Sequence, residues 1–537
     1  MRKNISKLIA CILAGCLFLT GCSNEYFGIP GIFMEVVETL GDPDFYEGVE
    51  EYDPDIWTWP DTEEEEISET FDWDEFDHDE EIDSDPGTVT ILVYMNGSTL
   101  ETEAGFASKD IQEMLDAGYS ENVNIVIQTM GTKYWSSKHG IASNRSQTYV
   151  IGKDGLELVR DDLGQLDCTI ADTLYEFVQW GARAYPAERN ILLFWDHGGG
   201  PAYGFGWDEF QDDYDNLSID EMVKALKNCD THFDFIGMDC CIMSCLEITY
   251  ALRDYCDYMI VSEDFESSLG WYYTGWLEAL YEDTSISTYD LAKILIDDMV
   301  AKNEKDRFNG DRAILALVDE SHMDKLWELW TQFAYDCEDK LLSTNYSQQM
   351  ESSGKGADLI LSDRVHKSRG GKSPLFEGLV ESFIDYLVDD SEYEQTINDI
   401  IDGINNYDDV YISDYCITDL MGLAVIIDSD YSEKLVRAVD KALLYVGASS
   451  DCLNLTGLSV TLPYRDRSLY HELATVLERC SFDDDYIEWL KQFISAELSN
   501  NSIDWDSLGD DLWNEWGEYE SSEIGRASCR ERVCQYV

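Results

Sequence analysis

The sequence predicts an α/β fold organised on a sheet of mainly parallel strands, and three observations carry that expectation. Short continuous apolar runs, each bounded by glycine or charge, stand at 88–95, 123–128, 191–195, 233–238 and 258–262. Runs of this kind suit strands buried on both faces of a parallel sheet. Segments of helical spacing lie between them, near 107–117, 169–183 and 218–227, which gives the strand and helix alternation of doubly wound folds. Hydrophobic residues make up 44% of the 537-residue chain, with 15 Trp and 32 Tyr, a composition that folds and exceeds one domain.

Taken in order, the chain opens with a short basic stretch and an apolar run at 8–20, too short for a comfortable membrane span and laid out as a secretory signal. The run ends in Leu19-Thr20-Gly21-Cys22, which resembles the bacterial lipobox. Residues 1–21 then read as a lipoprotein signal peptide and Cys22 as a lipidated N-terminus. Acyl chains, and no membrane-spanning helix, would hold the protein at the bacterial cell envelope, outside the cytoplasm. Residues 22–87 are dominated by acid, with Trp57, Trp59, Phe71, Trp73 and Phe76 interspersed, and read as a tether or as a propeptide that docks. His78 stands alone among acids as a solvated bystander. Across the chain 110 acidic residues face 36 basic ones, for a net charge of −74. Such a surface excludes nucleic acid and anionic lipid as partners and attracts basic substrates.

The folded region begins with the strand at 88–95, which ends at Asn96-Gly97. A helix, a strand at 123–128, and a hairpin-like pair at 147–151 and 156–160 follow, then the helix at 169–183. Ser218 is the expected cap of the helix at 218–227. The segment at 202–216 between the third and fourth strands reads as an exposed hairpin or loop. Beyond 241, a helix is expected to about Arg253, and Cys245 falls one helical turn after Cys241 as a packing residue. Further expected elements are a helix at 289–301, a strand at 313–319, helices at 323–336, 374–388 and 432–446, and strands at 423–427 and 458–462.

Two of the apolar runs end abruptly in reactive residues. Ile191–Trp195 leads into Asp196, His197 and three glycines, and Phe233–Met238 leads into Asp239, Cys240 and Cys241. In open parallel sheets ligands gather at the carboxyl ends of strands, so neighbouring strands would bring a histidine and a cysteine together there. An imidazole accepts the proton of a thiol or stabilises its thiolate, which then attacks a carbonyl. The resulting oxyanion needs fixed donors, and the Gly198 and Cys241 N–H groups are the candidates. A zinc site from Cys240, Cys241 and Cys245 is disfavoured, because their spacing lacks the paired C-x-x-C pattern.

The D-H-G-G-G turn and the D-C-C-I-M turn, 44 positions apart from His197 to Cys241, resemble the motifs of the clostripain family of cysteine peptidases. That family has a histidine in an H-G turn and a nucleophile in D-x-C-[LI]-M. The resemblance selects Cys241 as nucleophile and His197 as its partner, with Cys240 at the variable position. It implies a caspase-like sheet of mainly parallel strands flanked by helices, with a C-terminal α/β extension. It covers about 88–498, and includes Gly270-Trp271 and the G-L-S-V-T-L-P segment at 457–463. The expected organisation is a peptidase core at 88–338 and a C-terminal part at 339–498.

The resemblance also implies cleavage after Arg or Lys, which needs a carboxylate to meet the incoming cation. Asp239, Glu263, Asp264 and Glu266 are the candidates. No cofactor is required, and calcium is a possible addition, although Asp208, Glu209, Asp212, Asp213 and Asp215 do not fit the helix-loop-helix calcium spacing. Lys224 and Lys227 sit in an expected helix, which argues against self-cleavage between His and Cys. Residues 499–537 combine an acidic tail with a basic, cysteine-bearing end, GRASCRERVCQYV, that shares no pattern with the rest and reads as foreign. His139, His232, His322, His366 and His471 lack partner patterns, and the remaining cysteines show no disulfide framework. The expected function is a surface-anchored cysteine endopeptidase acting on basic peptides through a His/Cys dyad and an acyl-enzyme. The alternative is an inactive binding lipoprotein or adhesin on the same fold.

Overall fold

The computed structural model describes residues 85–161, 163–211, 216–267, 269–305, 313–337, 415–427, 429–449, 452, 455–463 and 467–500, the side chains of 85, 426, 467 and 496–500 excepted. Cys22, the acidic segment before 85, the helix expected at 374–388 and the C-terminal tail lie outside them. The elements run β1 (Asp85–Asn96), α1 (Ser98–Ala104), α2 (Phe106–Asp116), β2 (Val123–Met130), β3 (Gln147–Gly152), β4 (Gly155–Arg160), α3 (Ala171–Ala184) and β5 (Ala187–Trp195). They continue with α4 (Gly200–Tyr203), α5 (Ile219–Lys227), β6 (Phe233–Asp239), α6 (Leu246–Leu252), β7 (Cys256–Val261), α7 (Tyr273–Glu282), α8 (Thr288–Asn303), β8 (Ile314–Asp319) and α9 (Met323–Asp336). The last are β9 (Ile417–Asp419), α10 (Leu420–Ile426), α11 (Ser432–Ala442), β10 (Leu443–Ala448), β11 (Ser459–Thr461), α12 (Arg467–Arg479) and α13 (Asp484–Asn500).

Among the described residues, nine strands form one sheet in the order β10-β8-β7-β6-β5-β1-β2-β3-β4. The central five, β7-β6-β5-β1-β2, are parallel, and antiparallel strands finish both edges. The apolar runs are continuous because each strand feeds two cores. Leu92, Tyr94, Leu192, Phe194, Ile236 and Met238 point to one face, and Ile91, Val93, Ile191, Leu193 and Phe235 to the other. This is the period of two of a strand applied to a sheet covered on both sides. On the first face, Leu174, Phe177 and Val178 of α3 and Met222 and Leu226 of α5 close the core. On the second, Ile111 and Met114 of α2, Trp276 and Leu280 of α7, and Leu295 and Met299 of α8 do so. Each such side chain contributes about 1.5–3 kcal/mol on burial. As expected, Ser218 caps α5: its Oγ accepts from Glu221 N–H while the Glu221 carboxylate accepts from Ser218 N–H, a reciprocal capping box.

Several expectations are corrected. The run at 423–427 is the end of helix α10, capped by Asp419, because a short apolar run does not distinguish a buried strand from a buried helix. The helix expected over 432–446 stops at Ala442. The chain then continues as β10, pairing antiparallel with β8 from Leu443 opposite Val318 to Ala448 opposite Ile314. The C-terminal part therefore completes the main sheet, while β9 and β11 make a separate antiparallel pair. The segment expected to be an exposed hairpin or loop between β5 and α5 pairs antiparallel at Phe205 and Leu217 but begins buried. Phe205 and Leu217 exchange backbone hydrogen bonds, and Phe205, Trp207, Asp208 and Leu217 are all buried. No helix starts directly after Cys241. Residues up to Cys245, which is extended, precede α6, so Cys245 lies beside Ser459 of β11 and not on a helix. Helices α1 and α7 carry no clear sequence signal and were not expected.

The β9–β11 pair is stitched to the segment after Cys241. Ser459 N–H donates to Ser244 O at 2.9 Å, Ser244 Oγ to Gly457 O at 2.6 Å, and Thr461 N–H to Glu247 Oε1 at 2.9 Å. The other Glu247 oxygen is buried without a partner among the described residues. Burial raises this carboxyl from 4.5 to about 7. Between those values the folded protein keeps a proton that the unfolded chain releases, so this group costs stability as pH rises through that window. Glu247→Gln is therefore expected to melt progressively higher than the parent from pH 4.5 to 7, with a constant gap above 7. Thermal melts across that range check it.

Candidate active site

Trp195 of β5 pairs in register with Asp239 of β6. Asp196-His197 and Cys240-Cys241 thus leave the carboxyl ends of adjacent parallel strands side by side. The two turns touch through their backbones at Gly198, where an added Cβ would stand 1.9 Å from Cys241 O and 3.0 Å from Met243 Cγ. Only glycine brings the H-G turn this close to the cysteine. Gly198→Ala is expected to cost about 1–3 kcal/mol by overpacking and to separate the two turns. Urea unfolding read beside peptide hydrolysis checks both effects.

His197 is 6% exposed. Its ring stacks on Trp207 with centroids 4.2 Å apart and planes 4° apart, and its Nε2 lies 3.3 Å from Thr99 Oγ1. Burial alone pulls the imidazole down to about 3, so the ring is neutral at physiological pH. Asp196 does not engage the ring. Its Oδ1 accepts from Ser98 Oγ at 2.5 Å and its Oδ2 from Trp207 N–H at 3.0 Å. Thr99, Ser98 and Trp207 were not expected from the sequence. The available signal was positional: Ser98-Thr99 follows β1, whose Met95 pairs with Trp195 immediately before the histidine turn.

The two adjacent cysteines differ in environment. Cys240 is 2% exposed, and burial pushes its thiol well up, so it is held protonated in the core. Cys241 is half-buried, and its Sγ receives the Glu266 N–H at 3.3 Å. Ile242, the next residue, has φ +50°, a left-handed conformation that β-branched residues rarely adopt. Strain of this kind costs about 1–3 kcal/mol and persists where the surroundings over-determine it. Here Ile242 N–H donates to Asp264 O at 3.0 Å, Ser244 N–H donates to Ser262 O at 2.8 Å, and the Ile242 side chain is fully buried.

The four acids expected near the substrate divide into two pairs. Glu263 accepts from Ser459 Oγ at 2.7 Å and from Gly457 N–H, facing Asp419, so it ties the nucleophile segment to β11. Asp264 accepts from Phe265 N–H at 2.8 Å and contacts the Cys452 thiol at 3.5 Å. Both carboxyls make internal bonds in this structure. Asp239 and Glu266 adjoin Cys241. Asp239 accepts from Tyr273 OH at 2.8 Å and Trp271 N–H at 3.3 Å, and burial raises it to about 6. Both Glu266 carboxyl oxygens are buried, against the Asp239 carboxyl and the Trp271 indole. Burial, then the facing Asp239, raises that carboxyl well above the usual range. A further acid lies behind them: Asp110 of α2, not expected from the sequence, accepts from Trp195 Nε1–H at 2.8 Å and is raised by burial and by Asp239. Lys302 Nζ backs this group through Glu113 and the carbonyls of Leu269 and Trp271.

In the described part of the loop considered for calcium, the carboxylates make bonds within the protein. Asp208 accepts from Phe210 and Cys168 N–H groups, and Glu209 from Thr102, Thr132 and Lys133. Among the described residues no group of three His, Cys, Asp or Glu side chains is arranged to hold a metal ion. Asp212, Asp213 and Asp215 lie outside them. No helix of the described residues is long and apolar enough to cross a membrane.

A half-buried cysteine whose backbone abuts a histidine turn, at the carboxyl end of a parallel sheet, is an arrangement suited to cysteine-peptidase chemistry. The clostripain family model matches residues 93–508, and the chain belongs to that family of cysteine peptidases. Among solved structures, a secreted C11 cysteine protease from Bacteroides thetaiotaomicron in complex with an irreversible peptide inhibitor is 17% identical. It covers 74% of this chain and 100% of its own, with a TM-score of 0.47. An inactive zymogen C11 protease from Parabacteroides distasonis is 16% identical, covering 76% of this chain and 97% of its own, with a TM-score of 0.47. No curated protein sequence matches this chain.

Proposed function

We propose that this cysteine peptidase is a surface-anchored endopeptidase that cleaves after Arg or Lys through His197 and Cys241. The observation that carries the reading is the joint at Gly198, where the histidine turn abuts the Cys241 carbonyl beside a buried pair of carboxyls. His197, neutral in the resting site, takes the proton of the Cys241 thiol as Sγ bonds to the scissile carbonyl carbon. The carbonyl oxygen, now negative, lies toward the Gly198 and Cys241 N–H groups. The imidazolium returns its proton to the leaving nitrogen as the C–N bond breaks, and water then hydrolyses the thioester with His197 again as base. These steps require no cofactor, and calcium is a possible addition. The half-exposure of Cys241 against the buried Cys240 supports this choice of nucleophile.

Asp239 and Glu266 are the proposed receptors for the basic side chain. Two buried carboxyls that face each other, with Asp110 behind them and Lys302 as the cation behind the group, gain from an incoming guanidinium or ammonium, which supplies further charge and donors. The net charge of −74 adds long-range attraction for the same substrates. Anchoring through lipidated Cys22 rests on the Leu19-Thr20-Gly21-Cys22 sequence and places the enzyme outside the cytoplasm. Hydrolysis of fluorogenic peptides ending in Arg, Lys, Asp or Asn, with and without calcium, tests the reading. Cleavage restricted to Arg and Lys supports it. Cleavage after Asp or Asn, or binding of basic peptides without cleavage, contradicts it, the latter in favour of a binding protein on this fold.

A further inference from the structure

The turn after β1 lies at the same sheet end as the histidine turn, because β1 and β5 pair in parallel with Met95 opposite Trp195. Its two consecutive hydroxyls reach two consecutive residues of the facing turn. Ser98 Oγ donates to Asp196 Oδ1 at 2.5 Å, and Thr99 Oγ1 stands 3.3 Å from His197 Nε2. Ser98 holds φ +41°, an unfavourable left-handed conformation, and its carbonyl accepts from Thr132 Oγ1 at 2.9 Å. The backbone is thus bent and pinned where it presents Thr99. On the other side of the site, Trp207 covers the imidazole face while its own N–H is held by Asp196. The ring is fixed in its plane by the indole and about its edge by one hydroxyl.

We propose that Thr99 is a positioning residue for His197: its hydroxyl accepts the Nε2–H, so the neutral ring keeps its lone pair on Nδ1, the nitrogen that exchanges a proton with Cys241. This inference rests on the His197 and Cys241 reading above. A neutral imidazole has one donor and one acceptor nitrogen, and the bond made by one decides the role of the other. In many histidine sites a carboxylate fills this place. Here the neighbouring carboxylate, Asp196, is turned to Ser98 and Trp207 N–H, and an uncharged hydroxyl faces the ring instead. Thr99 orients the base without adding a charge that would hold its proton.

Nitrogen NMR of His197 in the parent protein reads the proton position directly and does not depend on any variant folding. The Nε2–H tautomer is expected, and an Nδ1–H ring overturns the proposal. Thr99→Val, close to threonine in shape but without the hydroxyl, is expected to lower kcat about 100-fold with little change in KM or melting temperature. Thr99→Ser should restore most of it. Thr99→Val with parental kcat, or Thr99→Ser as impaired as Thr99→Val, overturns the proposal. His197→Ala and Cys241→Ala, measured alongside, separate the two failures. If either still hydrolyses peptides, the site reading falls. If both are inactive while Thr99→Val is normal, only the positioning role falls.

Discussion

Cys241→Ala is expected to remove peptide hydrolysis, lowering kcat by about 10⁴-fold or more, because an acyl-enzyme cannot form without the sulfur and nothing nearby substitutes for it. Cys240→Ala is expected to leave the activity of the folded protein essentially intact. The contrast follows from environment, since the two thiols are adjacent in sequence. Cys240 is sealed in the core, where burial keeps its proton on, and it packs with residues of the larger apolar cluster. Cys241 is half-exposed, takes a hydrogen bond from Glu266 N–H at 3.3 Å, and lies on the turn that meets Gly198. Initial rates with an arginyl substrate, corrected for the folded fraction of each variant, check the pair.

The second large effect is on specificity. Glu266→Gln or Asp239→Asn is expected to lower kcat/KM for arginyl and lysyl peptides by about 30- to 5,000-fold, the range of about 2–5 kcal/mol for removing one partner of a buried charge pair. Peptides with an uncharged residue at that position should change little. The carboxyls face each other, so their protons come off as a pair. Burial raises Asp239 to about 6. An incoming cation favours the ionised form, so KM for arginyl peptides should rise as pH falls through about 6, with uptake of protons by the free pocket. Either carboxamide variant should flatten that rise. KM against pH for arginyl and neutral peptides, in parent and variants, separates this effect from a general loss of stability.

The sequence made the two candidate turns legible because each follows a short apolar run, bounded by glycine or charge, that suits a buried strand, and ends in residues that do not belong in a core. Register did the rest: Trp195 opposite Asp239 brings His197 and Cys241 to the same sheet end. Thr99, Trp207 and Asp110 were not legible. They come from a neighbouring turn, a buried segment after the glycines and a helix of the opposite layer, and no local pattern links them to His197 or Asp239. The acids were only half legible. In a chain with 110 of them, composition hides which carboxyls are turned inward, and Glu263 and Asp264 proved to brace β11 and its approach while Glu266 stayed beside the thiol. In the C-terminal part the misread elements were short apolar runs. At 423–427 the run is the end of a capped helix, and at 443–448 pairing with β8 makes the strand; periodicity decides neither.

Covalent trapping tests the central assignment most directly. A peptide chloromethyl ketone ending in arginine, reacted with the parent protein and mapped by mass spectrometry, is expected to leave one adduct, on Cys241. Cys240→Ala should be labelled as the parent is, and His197→Ala far more slowly. An adduct on Cys240 or on another thiol, or equal labelling by a reagent ending in aspartate, would contradict the account.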